Sequence, residues 1–284
     1  MKKVLLAGAT GYLGGFILKE LLRRNYQTKI IVRNPEKIDQ ELKDNSLLEI
    51  VNAELTRPDT IADCCKGVDV VISTVGITKQ KDGLTYMDVD YRSNKNLLRE
   101  AVKSGVKKFI YVSVLNGKKL KHLKICEAKE KFVEELQNSD LDYCVIRPNG
   151  FFSDISEFFR MAEKGRIFLF DNGKFKSNPI HGKDLADVCI DSIENDLKEI
   201  KVGGPEILTQ NEIAYTAFKV LNKKPKLTYI NEWIRKLILA LIRTFTGSKT
   251  YGPLEFFLTV LAMDFVAPEY GRHTIYEYFS ELKG

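Results

Sequence analysis

Residues 3–15 read KVLLAGATGYLGG. An apolar run breaks at Gly8, passes Gly11 and Gly14, and enters a segment whose leucines and isoleucines recur at helical spacing. Strand, tight turn and helix N-terminus in that order make a site for an anionic diphosphate, because the first N–H groups of the helix point at the ligand. Gly8 permits the turn, Gly11 lets the backbone approach a pyrophosphate, and Gly14 lets the helix pack closely on the sheet. Gly8, Thr10, Gly11, Tyr12, Leu13 and Gly14 are the expected dinucleotide cradle.

The alternation continues along the first half. TKIIVR, SLLEIVNA, VDVVISTVG, KKFIYVS and LDYCVIRP read as the second to sixth strands. Helical segments such as SNKNLLREAVKSG and CEAKEKFVEELQNS lie between the later ones and end at Gly105 and at Asn138–Ser139. Strands that are apolar throughout imply a parallel sheet covered on both faces. The expected fold is α/β, a doubly wound parallel sheet, with the ligand beyond the carboxyl ends of the strands where strand order reverses. After Pro148 the rhythm changes: Phe151, Phe152, Phe158 and Phe159 cluster, KFKSNPIHGKDLADVCIDSI suggests a strand and then a helix, and the tail is aromatic and helical. We therefore expect a nucleotide-binding domain over 1–150 and, closely packed with it, a smaller α/β substrate lobe over 151–284.

Composition removes several classes of function. An apolar fraction of 44% and a charged fraction of 29% over 284 residues exclude a disordered chain. The net charge of +6 is dispersed, with no arginine-rich tract, which argues against a nucleic-acid partner and suits an anionic small molecule. The five cysteines (64, 65, 126, 144 and 189) form no C-x-x-C pair and read as buried, reduced thiols of a cytoplasmic protein; Cys64 and Cys65 fall in an expected helix ahead of the strand at 69–73. Three dispersed histidines predict no metal site. The two lysines and apolar run at the N-terminus break at the glycines and so read as mature protein rather than a signal segment. The stretches 237–242 and 254–263 are too short to span a bilayer and read as core helices of the second lobe; IRKLILALIR, basic at both ends, leaves open a contact with a membrane surface.

The end of the second strand selects the cofactor. An acidic side chain there would bind the ribose hydroxyls of NAD, whereas this chain has Arg33, with Lys37 close behind. A guanidinium matches a phosphate, and no acidic neighbour is expected to neutralise it, so NADP(H) is favoured over NAD(H). Glu54 and Leu55, ending the third strand, would border the adenine.

With GATGYLGG, VVISTVG, YVS and the block DYRSNKNLLREAVKSGVKKFIYVS in place, the chain resembles an atypical short-chain dehydrogenase/reductase. Within that superfamily it resembles the NmrA-type and isoflavone-reductase-like branches, and is most similar to the divinyl chlorophyllide 8-vinyl reductase-like group. AKEKFVEEL, VIRPNGFF, DNGKFKSNPIHGKDLA and VGGPEILT extend the likeness to about residue 225. The resemblance places Val75 and Gly76 beside the cofactor and Pro148 beside the nicotinamide. It makes Asn149, Phe151 and Phe152 candidates for the substrate pocket, and sets His181 behind the site. Ordinary members carry Tyr-x-x-x-Lys, in which the Tyr protonates the substrate; here Ile125 stands in its place and Lys129 remains. The resemblance implies that Lys129, its pKa depressed near the nicotinamide, acts as acid or base or hydrogen-bonds the ribose, and that Ser113 places substrate or caps a turn. Asp90 stands where many members carry a structural Asn. The expected function is an NADPH-dependent reductase passing hydride to a carbonyl or activated C=C of a small molecule. The alternative is a catalytically silent NADP(H)-binding redox sensor or assembly factor acting through a protein partner. Sugar-nucleotide epimerisation, which leans on the missing Tyr, carries little weight.

Overall fold

The chain, in a computed structural model describing residues 2–77, 83–245 and 248–284, alternates strand and helix from its first residues. Its elements up to the sixth strand are β1 (Lys3–Ala7), α1 (Tyr12–Arg23), β2 (Gln27–Val32), α2 (Gln40–Lys43), β3 (Leu48–Asn52), β4 (Val70–Ser73), α3 (Asn94–Lys103), β5 (Lys108–Val112), α4 (Lys124–Gln137) and β6 (Asp142–Pro148). There follow α5 (Phe152–Glu163), β7 (Ile167–Phe170), β8 (Lys176–Ser177), α6 (Gly182–Asp191), β9 (Glu199–Val202), β10 (Leu208–Thr209), α7 (Gln210–Val220), β11 (Leu227–Ile230), α8 (Glu232–Phe245), α9 (Ser248–Val260) and α10 (Ile275–Lys283). Two compact units result, Met1–Arg147 with Leu185–Ile200, and Pro148–Asp184 with Lys201–Gly284.

Seven strands form one sheet in the order β3-β2-β1-β4-β5-β6-β9. β1 lies between β2 and β4 and is parallel to both, so the order reverses there. The doubly wound parallel sheet expected from the apolar strands is what forms. Val4, Leu5, Leu6 and Ala7 are all fully buried, as a strand covered on both faces requires. Leu13, Ile17, Leu18, Leu21 and Leu22 make the buried stripe of α1. α3 stops at Gly105, whose φ of +71° suits a residue without a side chain. The reversal brings the loops after β1 and β4 to the same edge, and these carry Gly8 and Gly76.

The sequence at 61–67 departs from expectation. Cys64 and Cys65 sit in consecutive turns rather than a helix, with Asp63 at φ +59° and Gly67 at φ +71°. Left-handed residues four apart interrupt a right-handed helix. All five cysteines are free and buried. A second difference lies ahead of α3, where Met87–Ser93 form a π-helical turn, a local widening that often marks functional positions.

In the second unit, Phe152, Phe158, Phe159, Ile167, Leu169, Ile213, Phe218 and Phe279 form the core. β8 pairs antiparallel with β10, and β7 pairs in parallel with β11. Among the described residues no helix is long and apolar enough to cross a membrane.

Candidate functional site

The loop after β1 is shaped by contacts that exclude side chains. Gly8 has φ +92°, and a Cβ there would lie 2.5 Å from the Thr74 hydroxyl. A Cβ on Gly14 would lie 2.0 Å from the Gly8 carbonyl oxygen, so the first turn of α1 sits directly on the loop. Gly11 donates its N–H to Gly8 O at 2.9 Å and, having no side chain, leaves the start of α1 without a side-chain cap. Of the other cradle residues, Thr10 is exposed, Tyr12 stands edge-on to Phe16, and Leu13 is buried, leaving Leu13 only its backbone to offer a ligand. Gly14→Ala is expected to destabilise the chain by about 1–3 kcal/mol, the usual cost of overpacking, and to weaken dinucleotide binding with it. Urea unfolding and titration with NADPH check this; an unaltered midpoint and affinity would contradict the packing.

Arg33 and Glu54 leave the ends of β2 and β3, which are adjacent and parallel. Arg33 Nη1 therefore lies 4.0 Å from Glu54 Oε1, and the expectation that Arg33 has no acidic neighbour is corrected. Parallel strands carry sequence-distant ends to one place. With the Arg33 side chain 64% exposed, the pair contributes only about 0–1 kcal/mol and leaves the guanidinium available to a stronger anion. Lys37 is exposed at the end of the short turn Pro35–Lys37. The Glu54 backbone is held by Thr60, and the Leu55 carbonyl accepts from Asn96 Nδ2 at 3.0 Å.

The third cluster gathers around Lys129 on α4. Its Nζ is 2.9 Å from Oδ1 of Asp90, which the π-helical turn carries into full burial. The Ile77 N–H donates to Asp90 Oδ2 at 3.2 Å. A Cβ on Gly76 would lie 2.6 Å from Asp90 Oδ1 and 2.7 Å from Lys129 Nζ, so the loop after β4 passes against the ion pair at an exposed glycine. Asn94 anchors the arrangement: it accepts from Ser73 at 2.5 Å and donates to the carbonyls of Val75 and Asp90. The fully buried ring of Tyr111 lies 5.6 Å from Lys129 Nζ.

These contacts set the charge state. Burial acts to lower Lys129, but the Tyr111 hydroxyl and the Asp90 carboxylate outweigh it and hold the ammonium above the ordinary lysine range. Burial pushes the Asp90 carboxyl up, while Lys129 and the Ile77 N–H act to keep it ionised. We take the pair as ionised, because a 2.9 Å contact and an N–H donor both favour the carboxylate. The depressed pKa expected for Lys129 is thus corrected to a raised one. The cause is Asp90, an acidic neighbour that lies 39 positions away in the chain.

Ser113 ends β5, and its hydroxyl donates to Glu130 Oε1 at 3.4 Å. Glu130 is buried and paired with Arg147, whose Nη1 and Nη2 reach its two oxygens at 2.5 and 3.0 Å; Arg147 Nε also donates to Glu199 at 2.7 Å. Ile125 is buried on the same helix. In the second unit Pro148 is buried, and Asn149 donates to Asn178 Oδ1 at 2.7 Å and to the Phe265 carbonyl at 2.5 Å. Phe152 is only 1% exposed and packs in the core, while Phe151 is half-buried at the start of α5. His181 is buried and stacks at 4.4 Å on His273, which pairs with Asp184. The structure thus gathers Gly76, Asp90 and Lys129, and separately Arg33 with Glu54, while Asn149 and Phe152 are occupied by internal packing.

Asp90, as the partner of Lys129, and the Glu130–Arg147 pair were not anticipated. Glu130 carried a readable signal. It falls at the i+4 position from Cys126 and three before Val133, on the buried stripe of α4, where a charge demands a partner. Asp90 stood out only as occupying a position where many members carry Asn; its pairing with Lys129 was not readable, since a π-helical turn has no distinctive spacing.

Residues 8–196, from the glycine loop through β6 and α6, match the model of NAD(P)H-binding proteins. The chain belongs to the NAD(P)H-binding family. Among curated members, it is 25% identical over 320 residues to a divinyl chlorophyllide a 8-vinyl-reductase of Arabidopsis thaliana, covering 98% of this chain and 76% of that one. It is 26% identical over 267 residues to the photosystem II assembly factor Ycf39 of Trieres chinensis, covering 92% and 82%. The NADPH-dependent quinone oxidoreductase QOR2 of Escherichia coli, solved with NADPH, shares the fold with a TM-score of 0.74 at 18% identity, over 99% of this chain and 100% of that one. The resemblance to atypical short-chain reductases is therefore upheld at the level of family and fold. This NAD(P)H-binding protein has one relative named as a reductase and another named as an assembly factor.

Proposed function

We propose that this protein is an NADP(H)-dependent reductase of a small molecule bearing a carbonyl or an activated C=C bond, in which Lys129 supplies the proton. The observation that carries this reading is the Lys129–Asp90 ion pair, held at 2.9 Å against the backbone of Gly76. The residues present fit the cofactor: two glycine positions, 8 and 14, leave no room for a Cβ in the loop where a diphosphate would lie, and Gly76 is equally intolerant beside Lys129. Gly8 to Gly14 would hold the diphosphate, Arg33 and Lys37 the ribose phosphate, Glu54 and Leu55 the adenine edge, and Val75, Gly76 and Lys129 the nicotinamide side. When bound, the nicotinamide supplies the hydride.

Lys129, kept as ammonium by Asp90 and Tyr111, donates a proton from Nζ to the substrate atom left electron-rich by reduction. The resulting neutral amine remains beside Asp90 and recovers its proton from solvent. Asp90 thereby keeps the ammonium form populated at working pH, while the raised pKa makes it a weaker acid than one poised near neutrality. Ser113, engaged with Glu130, is assigned to placing substrate. The five unpaired buried thiols support a reducing compartment such as the cytoplasm.

The experiment is a turnover assay following NADPH oxidation with quinones, enones and a vinyl-bearing tetrapyrrole, the last chosen from the name of the reductase relative. Oxidation of NADPH by one class, lost when Lys129→Met is combined with Asp90→Asn, supports the reading. A second reading, a nucleotide-binding assembly factor, is favoured by the 92% coverage shared with the Ycf39 relative and by Ile125. It predicts tight NADPH binding, no turnover with any class, and a marked preference for one redox state of the cofactor.

Cofactor choice has its own test. Arg33→Ala is expected to weaken NADPH by about tenfold or more, the value of charge-assisted hydrogen bonds to a phosphate, and to leave NADH within about twofold. Calorimetric titration measures both. Equal losses for the two cofactors would remove Arg33 as the selector.

A further inference from the structure

The second unit exposes an apolar helix face. Along α8, Trp233, Leu237, Ile238 and Leu241 are all exposed, Trp233 to 63%. At 100° per residue these four span one side of the helix, with Ala240 and Thr244 among them. Arg235, whose guanidinium reaches the Leu258 carbonyl on α9, marks the inner side. Lys236 and Arg243 fall together along one margin of the apolar face, with side chains 70% and 55% exposed; Lys236 lies 3.9 Å from Glu232, and Arg243 pairs with the buried Glu255 of α9 while keeping an exposed edge. An amphipathic helix in a water-soluble fold ordinarily turns its apolar face inward, and this one turns it out.

Charge indicates the occupant. Residues 222–260 contain seven lysines and arginines against two glutamates, a net +5 in the stretch of sequence that includes α8. Basic side chains bordering an outward apolar face that includes a tryptophan suit a surface that is anionic on the outside and apolar just beneath. An apolar protein groove would satisfy the apolar residues but gives no reason for the positive charge along one margin.

We propose that α8 docks the protein on an anionic lipid surface, with Trp233, Leu237, Ile238 and Leu241 entering the headgroup–acyl boundary and Lys236 and Arg243 meeting lipid phosphates. This docking is independent of the reaction assigned to Lys129. Because Trp233 is the single tryptophan of the chain, its emission reports docking without a label.

The full chain is mixed with vesicles of phosphatidylcholine alone and with vesicles also containing phosphatidylglycerol, then sedimented. The expected result is co-sedimentation with the anionic vesicles only, reversed by salt, with a blue shift of Trp233 emission on binding. Leu237→Glu with Leu241→Glu abolishes both signals. Lys236→Glu lowers partitioning about fivefold or more, from roughly one decade or less per basic side chain at a charged surface. Since Leu237, Leu241 and Lys236 are all exposed, these variants keep their fold, which an unchanged urea-unfolding midpoint verifies. Equal binding to neutral vesicles would overturn the electrostatic assignment. No binding to either, or loss of the emission shift without loss of sedimentation, would overturn the proposal. Self-association through the same face in the absence of lipid would assign it to a second copy of the chain.

Discussion

Substituting Lys129 by Met together with Asp90 by Asn should lower the rate of reduction by about 10²–10⁴-fold, the range expected when a general acid is lost. The double variant is the informative one. Lys129→Met alone would strand the Asp90 carboxylate, which is completely buried, and the loss of folding stability would obscure the chemistry. Removing both charges keeps the volume filled and isolates the proton. Asp90→Asn by itself reads the pH dependence. In the native chain the Lys129 ammonium titrates above the ordinary lysine range, so the acid form is present across neutral pH and the rate should fall only in strongly alkaline solution. Without the carboxylate, burial is opposed by less, the folded pKa drops, and the alkaline limb of kcat should move to lower pH. The stability contribution follows the same sign. A group whose folded pKa is raised contributes fully below its unfolded pKa and loses that contribution as pH rises through the folded one. A pH profile that does not shift in Asp90→Asn would leave Asp90 a merely structural residue. A double variant with native turnover would remove Lys129 from the reaction.

Arg147→Met should cost about 3–5 kcal/mol of folding stability, the usual consequence of breaking a buried ion pair from one side. Glu130 would keep only the 3.4 Å contact from Ser113 while remaining 1% exposed. It cannot turn toward water, because the Gly117 backbone already lies so close that a Cβ there would meet Glu130 Oε1 at 2.2 Å. Glu130→Leu combined with Arg147→Met should recover much of the loss, since replacing both members by apolar groups of similar size is often close to neutral. Urea unfolding of the two single variants and the double variant gives the comparison. A loss under about 1 kcal/mol for Arg147→Met would mean that water reaches the stranded carboxylate.

The fold was legible because its signals are local. Glycine at 8 and 14, apolar runs four to seven residues long, and helical spacing between them each depend on conformations that a few consecutive residues determine for themselves. GATGYLGG therefore announced the strand, the turn and the open helix start before any tertiary contact was known. Where a local rule was read too simply, the error was also local. The segment around Cys64 has helical composition, yet Asp63 and Gly67 adopt positive φ and turn the chain instead.

What the sequence determined by itself was thus the doubly wound sheet, the dinucleotide loop after β1 and the survival of Lys129 beside a missing tyrosine. The tertiary structure alone decided how these residues are charged. A parallel sheet carries the ends of strands far apart in sequence to one edge, and helices crossing behind it place buried groups with no regular spacing between them. Arg33 met Glu54, Lys129 met Asp90, and Glu130 met Arg147 in this way. A pKa depends on the charges and the solvent within a few ångströms, and that neighbourhood exists only once the chain has folded.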